Sequence, residues 1–170
     1  MVSLVDEEKW APLIGRFFLS FGSIESVTHD CIRIWSGKII HKHIKNMPLS
    51  RRIDLAIDLI AEQSYSDTNK AIFIKDFQQA KILVEQRNLI AHSPLMLVLF
   101  QDEPNTPFHE AIVSNTKDGH FVKFEELQEA LSLAKTVAER IHHNMAAFRL
   151  EGINLNAIPS EWKGLPGSSA

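Results

Sequence analysis

The chain has 170 residues, with 18 Lys and Arg against 21 Asp and Glu, a formal net charge of -3 and 45% hydrophobic residues. A chain of this length buries enough apolar surface for one ordinary globular domain to fold without a structural metal or disulfides, and the single Cys31 cannot build a disulfide framework. The mild acidity excludes a uniformly basic nucleic-acid binder, so any contact with phosphates has to come from a local cluster of positive charge.

The opening MVSLVDEEKW is acidic and lacks the basic start and continuous apolar run of an export signal, which points to a cytoplasmic location. The apolar run Leu95–Phe100 falls far short of the ~20 residues that cross a bilayer, so no membrane contact is expected. Apolar spacing predicts a first helix over about Asp6 to Trp35, with Trp10, Leu13, Ile14, Phe17, Phe21, Ile24, Val27 and Cys31 on one stripe and Asp6, Glu7 and Glu8 favourably placed at its positive end. Cys31 is read as a small packing residue. The stretch from Cys31 to Ile53 contains no acid and carries Arg33, Lys38, Lys42, Lys45, Arg51 and Arg52. It reads as a basic loop able to hold phosphates, or as an ordinary solvated connection.

A second, short helix is predicted from an N-cap at Ser50 to the polar run QSYSDTN. A third starts near Thr68 or Asn69 and continues to His92, because Pro94 pushes Ser93 out of helical geometry. Beyond it, LMLVLF, EAIVS, the turn-like NTKDG and HFVKF predict a small sheet or hairpin arm. The last helix is expected over roughly Glu125 to Leu150, with Gly152 as its stop. The fold class expected is therefore mainly α, an up-and-down bundle of four to five helices with a small β-hairpin insertion. Residues 1–152 form its single domain, and 153–170 a loop-like tail.

The third helix carries the chemistry. Phe73, Phe77, Ala80, Val84 and Ala91 form one stripe, while Ile82, Leu83, Leu89 and Ile90 point elsewhere, leaving its second half apolar on nearly every side. Such a helix is enclosed by its own bundle or by a bundle and a partner. Yet it ends in Arg87, Asn88 and His92, groups too costly to bury without partners. Lys81, Glu85, Asn88 and His92 share one narrow strip, whereas Arg87 lies roughly 140° around the helix from His92. Either the helix loosens before Pro94, or the same segment of a second copy completes the cavity, and the second is favoured because it also explains the apolar surplus.

The segment Arg87-Asn88-Leu89-Ile90-Ala91-His92 resembles the Rx4-6H signature of the HEPN superfamily, as do the following Pro and the Phe18, Gly22, Ile24, Glu25 spacing of the first helix. The likeness runs from about Trp10 to Arg149. It implies an α-helical homodimer, joined through the third-helix region, that cleaves RNA without a metal or other cofactor. It also implies a toxin or defence role, with a neutralising partner protein as in family systems. In such a site the RNA's own 2′-hydroxyl attacks the adjacent phosphorus. His92 moves protons, the Arg87 guanidinium stabilises the phosphate and Asn88 positions them. One histidine per chain supplies a base or an acid, and a two-fold dimer brings two to one cleft. A non-catalytic RNA-binding or protein-interaction module is the rival reading, with Arg87 and His92 making only structural hydrogen bonds at a helix end. His41, His43, His142 and His143 raise the question of metal, but Glu139-x-x-His142 is a single copy of an element that di-iron bundles need twice, so no metal is expected.

Overall fold

A computed structural model describes residues 5–99 and 108–151, apart from the side chains of Lys38, His41 and Lys45. The expected tail over 153–170, the opening four residues and Phe100 lie outside the described residues.

Helix α1 spans Glu7–Trp35 and begins where Asp6 Oδ1 accepts the Lys9 backbone N–H at 3.0 Å, a side-chain cap at the positive end of the helix. Its predicted stripe faces the core: Trp10, Phe17, Phe21, Ile24, Val27 and Cys31 are buried, and Leu13 and Ile14 pack against them half-buried. The expectation of a loop over the basic stretch is corrected. Gly37, at φ +78°, lets the chain turn after Ser36, and Gly37–His43 then forms a short helix α2, followed by a 3-10 turn over Ile44–Asn46. Buried Ile44 ties this excursion to the core. Helix α3 spans Leu49–Ala61 with Pro48, not Ser50, at its N-cap; Ser50 sits inside the first turn.

Helix α4 spans Asp67–His92 and starts from Ser66, whose hydroxyl accepts the Asn69 N–H at 3.4 Å. It ends as predicted: Ser93 is extended at φ -125°, ψ 142°, ahead of Pro94. The chain then forms three antiparallel strands in the order β1-β2-β3, Leu95–Leu99, Phe108–Val113 and Phe121–Lys123, one strand more than a hairpin. Ile112 lies opposite Leu95 on one side and Val122 on the other, and Ile112 and Val122 join the core. Helix α5, Phe124–Glu151, follows β3 directly, and Glu126 Oε2 accepts the Lys123 N–H at 2.8 Å to satisfy its first turn.

Helices α1 and α4 each pack on both α3 and α5, closing a four-helix ring around one contiguous core. Phe148 of α5 is its centre at one end, with Trp35, Tyr65 and Phe73 rings 5.4, 4.2 and 5.5 Å away. At that end Glu151 clasps the start of α4: its carboxylate accepts the Asn69 side-chain amide and the Ser66 backbone N–H, each at 2.7 Å. Those bonds hold the Glu151 carboxyl below the usual glutamate range. The protein is thus a mainly α-helical bundle with a small β insertion. Among the described residues, no helix is long and apolar enough to cross a membrane.

Candidate functional site

The polar strip predicted on α4 is real. Lys81, Glu85, Asn88 and His92 are all exposed, while Leu83, Val84 and Ile90 on other faces are buried. One expectation for this helix is corrected: Ala91 is exposed rather than part of the buried stripe. The disfavoured alternative, a helix that loosens before Pro94, is absent, since α4 stays helical through His92. Ile82 and Ile72 also remain open, at 74% and 48% exposure, so the bundle alone does not enclose α4.

The strand register decides what lies beside His92. Since Leu95 pairs with Ile112, the end of β2 returns to the end of α4, and the Val113 N–H donates to the Pro94 carbonyl at 3.1 Å. The turn joining β2 to β3 therefore packs next to His92. Ser114 Oγ accepts the Thr116 and Lys117 N–H groups at 3.2 and 3.0 Å, and Gly119 at φ +73° completes the reversal. The Asn115 side-chain amide donates to the His92 carbonyl at 3.5 Å. Between helix end and turn lies an open groove of about 670 Å³, onto which Asn88, His92, Lys117 and His120 face together with Glu85 and Glu126.

Arg87 is elsewhere. It lies half-buried on the α1 and α3 side, its guanidinium 5.5 Å from the centre of the Phe18 ring and donating to Asn88 Oδ1 at 3.2 Å. It borders a separate cavity of about 270 Å³ with Glu25, Ser50 and Arg52, and its Nε is buried with no hydrogen-bond partner. Asn88 borders both hollows, so it is the residue that joins Arg87 to His92. One chain does not bring the arginine and the histidine into one groove, as the helical arithmetic requires.

The remaining predicted residues divide by partner. Arg52 pairs with Glu25 at 2.6 Å and meets the His29 ring, so its charge ties α3 to α1. Arg33 pairs with Asp30 at 2.7 Å. Lys42 and Arg51 are exposed, on α2 and on the first turn of α3; Lys38 and Lys45 lie outside the described side chains. His142 and His143 open into different hollows, and no group of three or more potential metal ligands occurs among the described residues. Cys31 is fully buried, its Sγ 3.9 Å from Met145 Sδ, and burial, with the nearby Asp30 charge, pushes its thiol up. Asp76 is buried too. Its carboxyl is raised by desolvation, against which Arg140 Nε at 3.1 Å and the Asn144 amide at 2.6 Å pull it down.

Sequence reasoning missed Lys117 and His120. Lys117 belongs to the turn-like NTKDG and His120 opens the run HFVKF that follows it, and the signal was topological: an antiparallel strand pair directly after a helix must bring its next turn back beside that helix's end. Comparison with protein-family models, curated proteins and solved structures finds no match to this chain.

Proposed function

We propose that the chain is an endoribonuclease of toxin or defence type, resembling the HEPN superfamily, that cleaves RNA by 2′-hydroxyl attack without a metal. One observation carries the reading: the RNxxAH segment ends a helix with His92 and Asn88 open to a groove large enough for a nucleotide, and Arg87 bonded to Asn88 one step behind. Histidine is suited to proton transfer near neutrality, and an arginine fork matches phosphate oxygens. A homodimer through α4 fits the exposure of Ile72 and Ile82, and would lay a second Arg87, Asn88 and His92 set beside the first. Lys42 and Arg51 would lead the strand toward the cleft, and a neutralising partner protein would cover it.

The test is digestion of single-stranded RNA by the purified chain with chelator present. Wild type should yield cyclic-phosphate and 5′-hydroxyl ends, His92→Ala should not, and DNA, which lacks the attacking hydroxyl, should survive. An inactive wild type, or equal cleavage by His92→Ala, removes the enzyme.

A non-catalytic RNA-binding or protein-interaction module is favoured by a specific feature, the half-buried guanidinium of Arg87 stacked on Phe18 and spent on its own neighbour. RNA bound without product would select it.

A further inference from the structure

The groove holds two imidazoles from one chain, and the second has no part in the motif. His120 is exposed, but its backbone is fixed: its N–H donates to the Lys117 carbonyl at 3.3 Å and its own carbonyl accepts the Ser114 N–H at 2.9 Å. With Gly119 setting the reversal and Asn115 reaching the His92 carbonyl, the turn is a built element docked on the end of α4. It presents His120 and Lys117 to the groove that His92 enters from the other side.

We propose that this turn completes the site within one chain, with His120 as the second proton-transfer group and Lys117 as a contact to the phosphate of a bound RNA strand. The proposal rests on the ribonuclease reading and deepens it. His92 accepts the 2′-hydroxyl proton as O2′ bonds to phosphorus. The bond from phosphorus to O5′ breaks, and protonated His120 gives its proton to the departing oxygen. The products are a 2′,3′-cyclic phosphate and a 5′-hydroxyl, with no change of oxidation state and no co-reactant. Facing these groups are Glu85 and Asn88 from α4 and Glu126 from α5. Glu126 is engaged at the start of α5, and Lys117 with one protonated imidazole offsets the two carboxylates. The groove is thus suited to short-range positioning of a phosphodiester, while attraction of a polyanion falls to Lys42 and Arg51. A dimer then contributes the guanidinium rather than the second histidine.

The test uses the full chain, with chelator, on an oligonucleotide holding one ribonucleotide, and on the same oligonucleotide with sulfur in place of the bridging 5′ oxygen. Sulfur leaves without being protonated, so it bypasses a general acid. His120→Ala should slow the oxygen substrate about 10²- to 10⁴-fold, lose the alkaline limb of the pH-rate profile, and recover on the sulfur substrate. His92→Ala should stay slow on both, and Lys117→Ala should raise KM more than it lowers kcat. Recovery of His92→Ala instead would exchange the two roles and keep the pair. Wild-type behaviour of His120→Ala beside an inactive His92→Ala overturns this proposal while the ribonuclease stands. Equal slowing of His120→Ala on both substrates also overturns it, by marking a structural role. An inactive wild type overturns both.

Discussion

Two of the polar contacts by which the small sheet meets the bundle are built in opposite ways. Where β2 reaches α1, Glu110 is fully engaged. One oxygen accepts the Asp6 backbone N–H; the other accepts the Trp10 indole N–H at 3.0 Å and has Lys9 Nζ at 3.8 Å. Where the β2–β3 turn reaches α4, main chain and a short side chain dock it, and His92, Lys117 and His120 are left facing solvent. Buried polar groups are paired because leaving them unpaired is costly. The first contact is thus an anchor, whereas the second leaves the bonding capacity of its exposed side chains to solvent.

The largest way to break that contrast is at the anchor's apolar half. Trp10 is fully buried and packs edge-on to Phe124, ring centres 5.1 Å apart, so Trp10→Ala should cost roughly 3–5 kcal/mol in urea denaturation. At the groove the effect should move from stability to rate. His92→Ala should lower RNA cleavage about 10²- to 10⁴-fold while leaving the denaturation midpoint almost unchanged, since the side chain is exposed. A large stability loss there would erase the distinction between the two contacts.

Glu110→Gln is a smaller and sharper probe. The Asp6 N–H, then the Trp10 indole, hold the Glu110 carboxyl below its ordinary value of 4.5. A carboxyl lowered on folding contributes stability that is complete above its unfolded value and lost as pH falls through its native one. The variant should therefore be about 1 kcal/mol less stable at neutral pH, and the gap between it and wild type should close in acid below pH 4.5. The smallest effect should come from Ser114→Ala, about 0.5 kcal/mol or less globally, but with faster amide exchange at Thr116 and Lys117, whose N–H groups Ser114 Oγ accepts. Unchanged exchange there would show that the turn does not need this hydroxyl.

The helices were legible wherever burial is periodic. The α1 stripe and the α4 boundary at Pro94 follow from spacing and proline sterics, and both stand in the structure. Helix α2 was not legible, because its seven residues include exposed Ile39 and Ile40 and none of its described side chains is buried; one buried residue after it, Ile44, and a left-handed glycine place the segment. The start of α3 was misplaced by two positions because Pro48 takes the cap without a side-chain bond, and no sequence rule favours that over Ser50. At the candidate site, the separation of Arg87 from His92 followed from helical arithmetic. The approach of Lys117 and His120 did not, since it depends on strand order and register, which are long-range facts.

The clasp of Glu151 on Ser66 and Asn69 sits at the first turn of α4, and His92 sits at its last. A helix of 26 residues is about 39 Å long at 1.5 Å per residue, several screening lengths in ordinary buffer. Acid that releases the clasp therefore acts too far from the groove to alter its field, and a fluorophore placed on exposed Thr68, beside the clasp, could report fraying of that pole while turnover is followed independently at the other.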